Sequence, residues 1–397
     1  MLIYNLLLLL TVVLGILLCE WKKCKRNDLL FLVTVSVAMI VISSLRAHTV
    51  GIDYDMYAGY YKLVHDGGLA YLFGGNNTYR AEPGFSLLNY IVSRFTPDVR
   101  VFMAVVSVLI TTLTAVLAYK YSPIPWMTMY IYASFGFFEN TLSFIRQSIA
   151  IAIFLFAVPY LMKRKFVPYL LIVILAALFH KSMLIMIVAY FVAFLPVNWK
   201  TLTAYAVGTG VIMAVSWPLF QFVTKYIFTY YATQQGLYYV VVGRDWNTAV
   251  VPVLTAVVAV ILTKPLLRRN PANLALINFS IFSAILFIMT CQRFLFQRVG
   301  TMFFTTAILL IPEILKSVGI DSEQEEEYAQ MKTSLKKQGS ASNRKAYEES
   351  RKLKSSLNTR KYVYYYSAGS VLFIGFLYST FLLLANRINQ IPYKFFF

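Results

Sequence analysis

The sequence predicts an all-α polytopic integral membrane protein. Hydrophobic residues make up 59% of the chain, the mean hydropathy is +0.65, and only 17 of the 397 residues are acidic. A soluble domain could not bury so much apolar surface. Apolar runs of roughly 15 to 24 residues recur along the chain, which is the length a helix needs to cross a hydrocarbon core of about 30 Å. The runs lack the alternation of a closed barrel, so the crossings are predicted to be helical.

The charge pattern excludes several other classes of protein. The net charge is +19, but the Lys and Arg residues lie in short groups between apolar runs and do not form one basic face. This pattern is typical of membrane topology signals and does not indicate a nucleic-acid partner. Cys19, Cys24 and Cys291 have no metal-ligand spacing, so neither a disulfide framework nor a zinc site is predicted.

Hydropathy predicts about twelve crossings. The predicted helices cover residues 3–19, 29–44, 101–119, 126–138, 142–162, 166–179, 183–196, 202–217, 250–262, 274–290, 299–311 and 362–385. The basic stretch EWKKCKR follows the first run, which argues against a cleaved signal and places that end in the cytoplasm. The loops 46–82 and 218–248 are then external. Segment 83–95 is too short for a crossing and is predicted to be re-entrant or interfacial.

The chain divides into three parts. Residues 1–312 form the multi-helix membrane domain, and 362–397 form the last helix with an external C-terminus. Between them, 313–361 carry 11 basic and 8 acidic residues and are predicted to be a cytoplasmic insertion of one or two mobile charged helices. Such a composition favours a solvated linker over a regulatory docking site.

Polar chemistry is concentrated in residues 46–85, in a protein of which only 13% is charged. Arg46, His48, Asp53, Asp55, His65, Asp66 and Glu82 occur there among Tyr54, Tyr57, Tyr60 and Tyr61. Such a cluster needs a site that faces water.

Arginines are predicted at the outer ends of several helices. They are Arg46, Arg146, Arg244, Arg293 and Arg298. Because cations are usually depleted outside and are expensive near a membrane helix, we expect a compensating anion. Guanidinium groups match phosphate oxygens in a bidentate geometry. The alternative is that each arginine reaches outward to lipid headgroups.

Five motifs in one order resemble the EpsG-like family of exopolysaccharide polymerases, relatives of the Wzy-type O-antigen polymerases. The motifs are VGIDYDMYAGYY, EPGF, FIRQSIAIA, LFHKS and IPYKFFF, and the resemblance spans nearly all of the chain except 313–361. It implies an enzyme of the bacterial inner membrane, surrounded by membrane lipids, that joins polyprenyl-pyrophosphate-linked oligosaccharide units on the external face. Whether a chain-length regulator and a flippase act as further partners stays open.

That reaction needs stabilisation of a pyrophosphate leaving group and removal of a proton from the acceptor hydroxyl. The candidate catalytic residues are Asp53, Glu82 and His180. The candidate substrate-binding residues are Arg46, Tyr57, Arg146, Gln147, Lys181, Arg293 and Arg298. No cofactor is expected: Asp53 and Asp55 form a D-x-D pattern that could hold a divalent metal, but two carboxylates are too few ligands, so a general base at Asp53 is favoured.

Several alternatives stay open at this level. Glu82 is either a second carboxylate of the site or a charge at a helix N-terminus. Gln147 could simply bond a neighbouring helix, and the tyrosines could form an interfacial belt instead of sugar platforms. A flippase for the same lipid, or a ligase that uses the same donor, would require similar external residues.

Overall fold

The computed structural model describes residues 1–21, 24–73, 81–226, 246–292, 295–319, 328–334 and 344–396. Within these ranges the chain is helical and contains no strand, apart from one isolated bridge between Arg46 and Phe395. The predicted all-α class is therefore confirmed.

Residues 328–334 are helical, and nineteen other helices of the described ranges have defined bounds. They are α1 (Leu2–Leu14, continued by a π-helical turn, Gly15–Glu20), α2 (Lys25–Ser44), α3 (Tyr54–Phe73), α4 (Pro83–Ser93), α5 (Val99–Tyr121), α6 (Pro125–Ser134), α7 (Phe137–Thr141), α8 (Ile145–Phe154), α9 (Val158–Met162), α10 (Phe166–Ala177), α11 (Ile185–Val192), α12 (Trp199–Ala214), α13 (Ser216–Tyr226), α14 (Val250–Ile261), α15 (Thr263–Arg269), α16 (Asn273–Met289), α17 (Leu295–Phe304), α18 (Ala307–Val318) and α19 (Arg344–Ala385). Short 3₁₀ turns occur at Leu155–Ala157, Lys181–Leu184 and Trp246–Ala249.

Five of the described helices are long and apolar enough to cross a membrane. These are Leu2–Glu20, Lys25–Ser44, Val99–Tyr121, Ile145–Met162 and Tyr347–Ala385. Two bent pairs, with bends of 69° and 43°, raise the number to seven if each pair is one span. The predicted count of about twelve is not confirmed, because several apolar runs fold as short helices. The 12 residues of α10, for example, extend only about 18 Å.

Aromatic residues and close helix contacts hold the centre of the bundle together. Phe135 stacks on Phe304 with ring centroids 5.7 Å apart, and Tyr378 of α19 meets Phe135 edge to face at 6.0 Å. A Cβ added at Gly375 would lie 2.6 Å from the Ser134 hydroxyl, so this glycine allows α19 to approach α6 closely. Close packing of this kind drives helix association in lipid, where apolar burial gives little.

The last helix also includes the second half of the charged insertion. It begins at Arg344 and runs to Ala385 as one element, so the described structure has no helix break at the predicted boundary between 361 and 362. Near the junction, the Tyr364 hydroxyl donates to Oε1 of Glu20 at 2.8 Å, and Nε1 of Trp126 donates to the same oxygen at 3.0 Å. The Glu20 carboxylate thus links α19 and α6 to the end of the first span.

After α19, residues 386–396 form a C-terminal tail that folds back on the chain segment leading to α3. The backbone N–H of Ala47 donates to the Lys394 carbonyl at 2.8 Å, and that of Gly51 donates to the Asn389 carbonyl at 3.0 Å. The Tyr393 hydroxyl donates to the Ile42 carbonyl at 2.6 Å. These bonds set the position of the segment 45–53, which ends at Asp53.

Candidate active site

Glu82 is placed by a proline and a glycine that follow it. Pro83 occupies the first turn of α4, where its missing N–H costs nothing, and Glu82 precedes it in an extended conformation. The backbone N–H of Gly84 donates to the Leu178 carbonyl at 2.8 Å, and a Cβ at Gly84 would lie 2.9 Å from that same oxygen. The glycine therefore lets the start of α4 meet the end of α10.

This contact brings Glu82 to a cation and a histidine from two other helix ends. Its Oε2 lies 2.8 Å from Nη1 of Arg146, in the first turn of α8. Its Oε1 accepts a hydrogen bond from the backbone N–H of Lys181 at 3.3 Å and lies 3.8 Å from Nδ1 of His180. Glu82 makes no side-chain cap hydrogen bond to α4. Its contacts therefore favour a site carboxylate over a helix-terminus charge.

Arg146 needs this partner for an electrostatic reason. A cation in the first turn of a helix faces the positive end of the helix dipole, which is unfavourable. The side chain is 29% exposed and that of Glu82 is 9% exposed, so the pair is largely removed from water. Arg146 also interacts electrostatically with Tyr57. Glu82 thus neutralises a guanidinium that would otherwise be costly at this position.

His180 lies beside the same pair, and burial disfavours the charged form of its imidazole. Burial lowers the pKa of its imidazole, although the negative charge of Glu82 opposes that shift. Its Nδ1 is buried and makes no hydrogen bond to the described residues. A neutral imidazole can accept a proton, so the chemistry of general-base catalysis is available at His180.

Asp53 lies in the turn before α3. Burial raises the pKa of its carboxyl above the ordinary value, and the positive charges of Arg298 and Arg146 oppose that shift. Asp53 is thus within electrostatic range of two arginines from different helices. A carboxylate with a raised pKa is a stronger base than an ordinary aspartate, while the arginines favour its ionised form.

The candidate residues on α8 and α17 are joined directly. Nε2 of Gln147 donates to the Arg298 carbonyl at 2.7 Å, and the guanidinium of Arg298 stacks over the Phe144 ring at 5.1 Å. Gln147 therefore bonds a neighbouring helix, as one of its predicted alternatives required. Lys181 contacts Glu82 through its backbone, and its side chain is exposed.

One family model matches residues 29–325, three quarters of the chain, and its description is the EpsG family. The chain belongs to the EpsG family. The comparison with curated proteins found no match, and neither did the comparison with solved structures. The EpsG match includes Asp53, Glu82, Arg146, His180 and Arg298, whereas the C-terminal tail lies beyond it.

Two predicted substrate-binding residues of this EpsG-family chain are buried and contact other protein groups. Arg46 is 2% exposed, and its guanidinium donates to the Ser43 carbonyl and to the Leu142 carbonyl. Tyr57 is 4% exposed and meets Phe85 edge to face at 5.6 Å. Both side chains are covered by protein in this arrangement. Their contacts hold the segment 45–53 and α3 in place.

The remaining predictions fall outside the cluster or outside the described residues. Arg244 and Arg293 belong to segments that the structure does not describe. Asp55 is exposed and lies 3.4 Å from Nδ1 of His48. The described ranges contain no group of three His, Cys, Asp or Glu residues arranged to hold a metal ion.

Sequence reasoning missed the contribution of the C-terminal tail. Ser143, which precedes α8, donates from its hydroxyl to the Ile388 carbonyl at 3.3 Å and accepts from the Ile52 N–H at 3.2 Å. The tail, the Asp53 turn and the start of α8 therefore meet at one serine. The polar stretch NRINQ after the last apolar run was the available signal, since a polar tail is more readily explained by a docking role than by a membrane one.

Proposed function

We propose that this chain polymerises polyprenyl-pyrophosphate-linked oligosaccharide repeat units into a surface polysaccharide on the external face of the bacterial inner membrane. The observation that carries the proposal is the buried pair of Glu82 and Arg146 with His180 beside it. Three helix ends build this cluster in a chain of the EpsG family, within the range that the family model matches. Lipid-linked oligosaccharides are the substrates that the family suggests.

The reaction is a glycosyl transfer. The oxygen of an acceptor hydroxyl forms a bond to the anomeric carbon of the donor sugar, and the bond from that carbon to the phosphate oxygen breaks. The pyrophosphate leaves with the electron pair, and the acceptor proton passes to a protein base. Because the donor already carries its leaving group, the reaction needs neither ATP nor a nucleotide sugar.

Asp53 is the proposed base. It carries a raised pKa, and its ionised form is favoured by two arginines. Glu82 is less suited, because both of its oxygens already accept hydrogen bonds. We assign Glu82 a positioning role: it binds Arg146 and the backbone N–H of Lys181 and so fixes the position of the adjacent His180. His180 then contacts the acceptor or relays its proton.

Purified protein in liposomes with lipid-linked repeat units tests the proposal. Wild-type protein is expected to form a polymer ladder without added nucleotide sugar, and D53N is expected to slow its formation about 10²- to 10⁴-fold. Movement of the lipid between leaflets without a ladder would identify a flippase instead. Transfer of glycan only to a different acceptor would identify a ligase.

A further inference from the structure

A recess lies where α10 begins, at the opposite end of that helix from the Glu82 cluster. Its volume is about 340 Å³, far more than the roughly 10 to 15 Å³ that one buried water needs. Lys163 and Arg164 line it from the turn after α9, Phe194 from the chain after α11, and Asn270 from the turn before α16. Since α10 extends only about 18 Å, the recess is a separate site on the other side of the bundle.

Arg164 occupies a backbone position at which glycine is the usual residue. Its φ is 54°, in the left-handed region. Its N–H donates to the Leu161 carbonyl at 2.8 Å, and the N–H of Lys165 donates to the Tyr160 carbonyl at 2.9 Å. These two bonds form a Schellman motif, which favours glycine because any other side chain strains the backbone. Strained residues are concentrated at ligand-binding sites, so the arginine side chain is expected to have a role of its own.

The guanidinium of Arg164 is held over an aromatic ring at the recess, 4.5 Å from the centroid of Phe194. Stacking of this kind fixes the plane of the guanidinium and leaves its N–H edge to bind oxygens. Among the residues that the structure describes, neither Arg164 nor Lys163 forms an ion pair, whereas the neighbouring Arg269 pairs with Glu313 at 2.9 Å. The described lining of the recess includes no carboxylate either. The recess therefore favours an anion, and phosphate oxygens match both cations.

The apolar surface beside the recess indicates what the phosphate is attached to. Val167 at the start of α10 and Phe191 near the end of α11 are each 65% exposed. The two helices meet next to the recess, where the Phe166 ring lies 5.6 Å from that of Phe191. A phospholipid fits both features, because its acyl chains cover exposed apolar side chains while its phosphate reaches the cations. A soluble phosphate compound would use the cations alone.

We infer that the recess binds the phosphate of an anionic phospholipid, with Arg164 and Lys163 as its cationic contacts and Phe194 fixing the guanidinium. The turn joins the predicted crossings 142–162 and 166–179 on the predicted cytoplasmic side, where anionic lipids are concentrated. A basic turn on that side is common without any ligand, but topology requires neither a left-handed arginine nor a ring beneath its guanidinium. The inference goes beyond the proposed function and does not depend on it.

The test measures lipid binding to full-length protein in detergent micelles by native mass spectrometry, with dioleoyl phosphatidylglycerol as the probe. Wild-type protein should bind it at least about tenfold more tightly than dioleoyl phosphatidylcholine, and R164G should lose about tenfold or more, because a charged hydrogen bond is removed. Glycine suits the left-handed turn, so R164G should unfold at the wild-type temperature or above it when no lipid is added. F194L keeps the net charge and should weaken binding about two- to fivefold, because the guanidinium loses its ring.

K120A is the matched control for the loss of one positive charge. Lys120 is exposed in the last turn of α5, on the same predicted side and outside the recess, so K120A should bind the probe like the wild type. Inorganic phosphate and glycerol 3-phosphate should not displace the probe at concentrations at which unlabelled phosphatidylglycerol does. If either displaces it equally well, the recess takes a soluble phosphate compound and the lipid assignment is wrong.

Three further results would overturn the inference. They are unchanged binding in R164G, equal binding of phosphatidylcholine, and an equal loss in K120A, which would indicate general surface charge. Unchanged binding in F194L would also count against a built site, because charge alone would then explain the affinity. If R164G does not fold, K163A removes the other cation of the same recess, and unchanged binding there would contradict the inference too. None of these measurements involves polymer, so their outcome is separate from that of the polymer-ladder assay.

Discussion

Removal of Arg146 should destabilise the protein more than removal of its partner, and removal of both should partly restore stability. In R146M the Glu82 carboxylate, 9% exposed, loses its cation at 2.8 Å and remains buried. Breaking a buried pair in this way costs about 3 to 5 kcal/mol, and the lower end applies because Arg146 is 29% exposed. In E82Q the amide can still accept from Arg146, so the loss should be about 1 to 2 kcal/mol.

The double variant E82Q/R146M removes both charges. It should be more stable than R146M, because no uncompensated charge remains in the site. Reversible unfolding in mixed micelles, followed by tryptophan fluorescence, measures all four proteins of the cycle. Polymer formation should be lost in R146M and stay lost in the double variant, since stability and the arrangement of the site are separate properties.

The pair formed by Arg100 and Asp98 is the matched control. Its atoms lie 2.6 Å apart, closer than those of Arg146 and Glu82, but the side chains are 52% and 35% exposed. R100M should therefore unfold like the wild type, because water already solvates both charges. Additive losses in the E82Q/R146M cycle, or an equal loss in R100M, would show that burial does not decide the strength of these pairs.

Three further predictions concern the backbone, the base and the insertion. G84A should lower stability by about 1 to 3 kcal/mol and reduce polymer formation, because its Cβ would lie 2.9 Å from the Leu178 carbonyl oxygen and push Glu82 away. G208A is the control: nothing lies within 4 Å of a Cβ there, so neither stability nor polymer formation should change. For Asp53, the raised pKa in the folded state favours folding when the carboxyl is protonated, and this contribution is lost as pH rises through that pKa. In the same unfolding assay at pH 7, D53N should therefore be at least as stable as the wild type, and it should lose polymer formation. A D53N protein that is both active and less stable would contradict the role of Asp53 as base. Cells in which residues 321–356 are replaced by a short flexible linker should still make polymer, because the insertion is predicted to lie on the cytoplasmic side. Complete loss of polymer from a stably expressed deletion variant would contradict this.

The helical class and several candidate residues could be predicted from the sequence, because hydropathy and the position of charges at helix ends depend only on neighbouring residues. Glu82, Arg146 and His180 were each named on such grounds. Their meeting was not predictable, since it depends on the close approach of Gly84 to Leu178 between two distant helices. No local pattern indicates which helix ends will touch.

The same dependence on distant contacts applies to Arg46, which the sequence assigned to substrate binding. Arg46 was expected to meet an anion, because a cation at an outer helix end usually needs one. Two backbone carbonyls, of Ser43 and Leu142, accept from it instead. The predicted count of crossings was not confirmed for a related reason. Apolar content indicates which residues can lie in lipid, but helix length depends on breaks such as that at Gly136, which adopts the left-handed conformation between α6 and α7.

The C-terminal tail has a consequence for how the protein is made. The bond from Tyr393 to Ile42 joins residues 351 positions apart, and the Asp53 turn is held by other bonds to the same tail. The first helices leave the ribosome long before this tail is synthesised, so the end of α2 and the segment after it are made before these partners exist. Contacts of such long range form slowly, because a large loop has to close first. The active arrangement would therefore appear only after the last helix has been inserted, and a nascent chain in the membrane would stay inactive until that step.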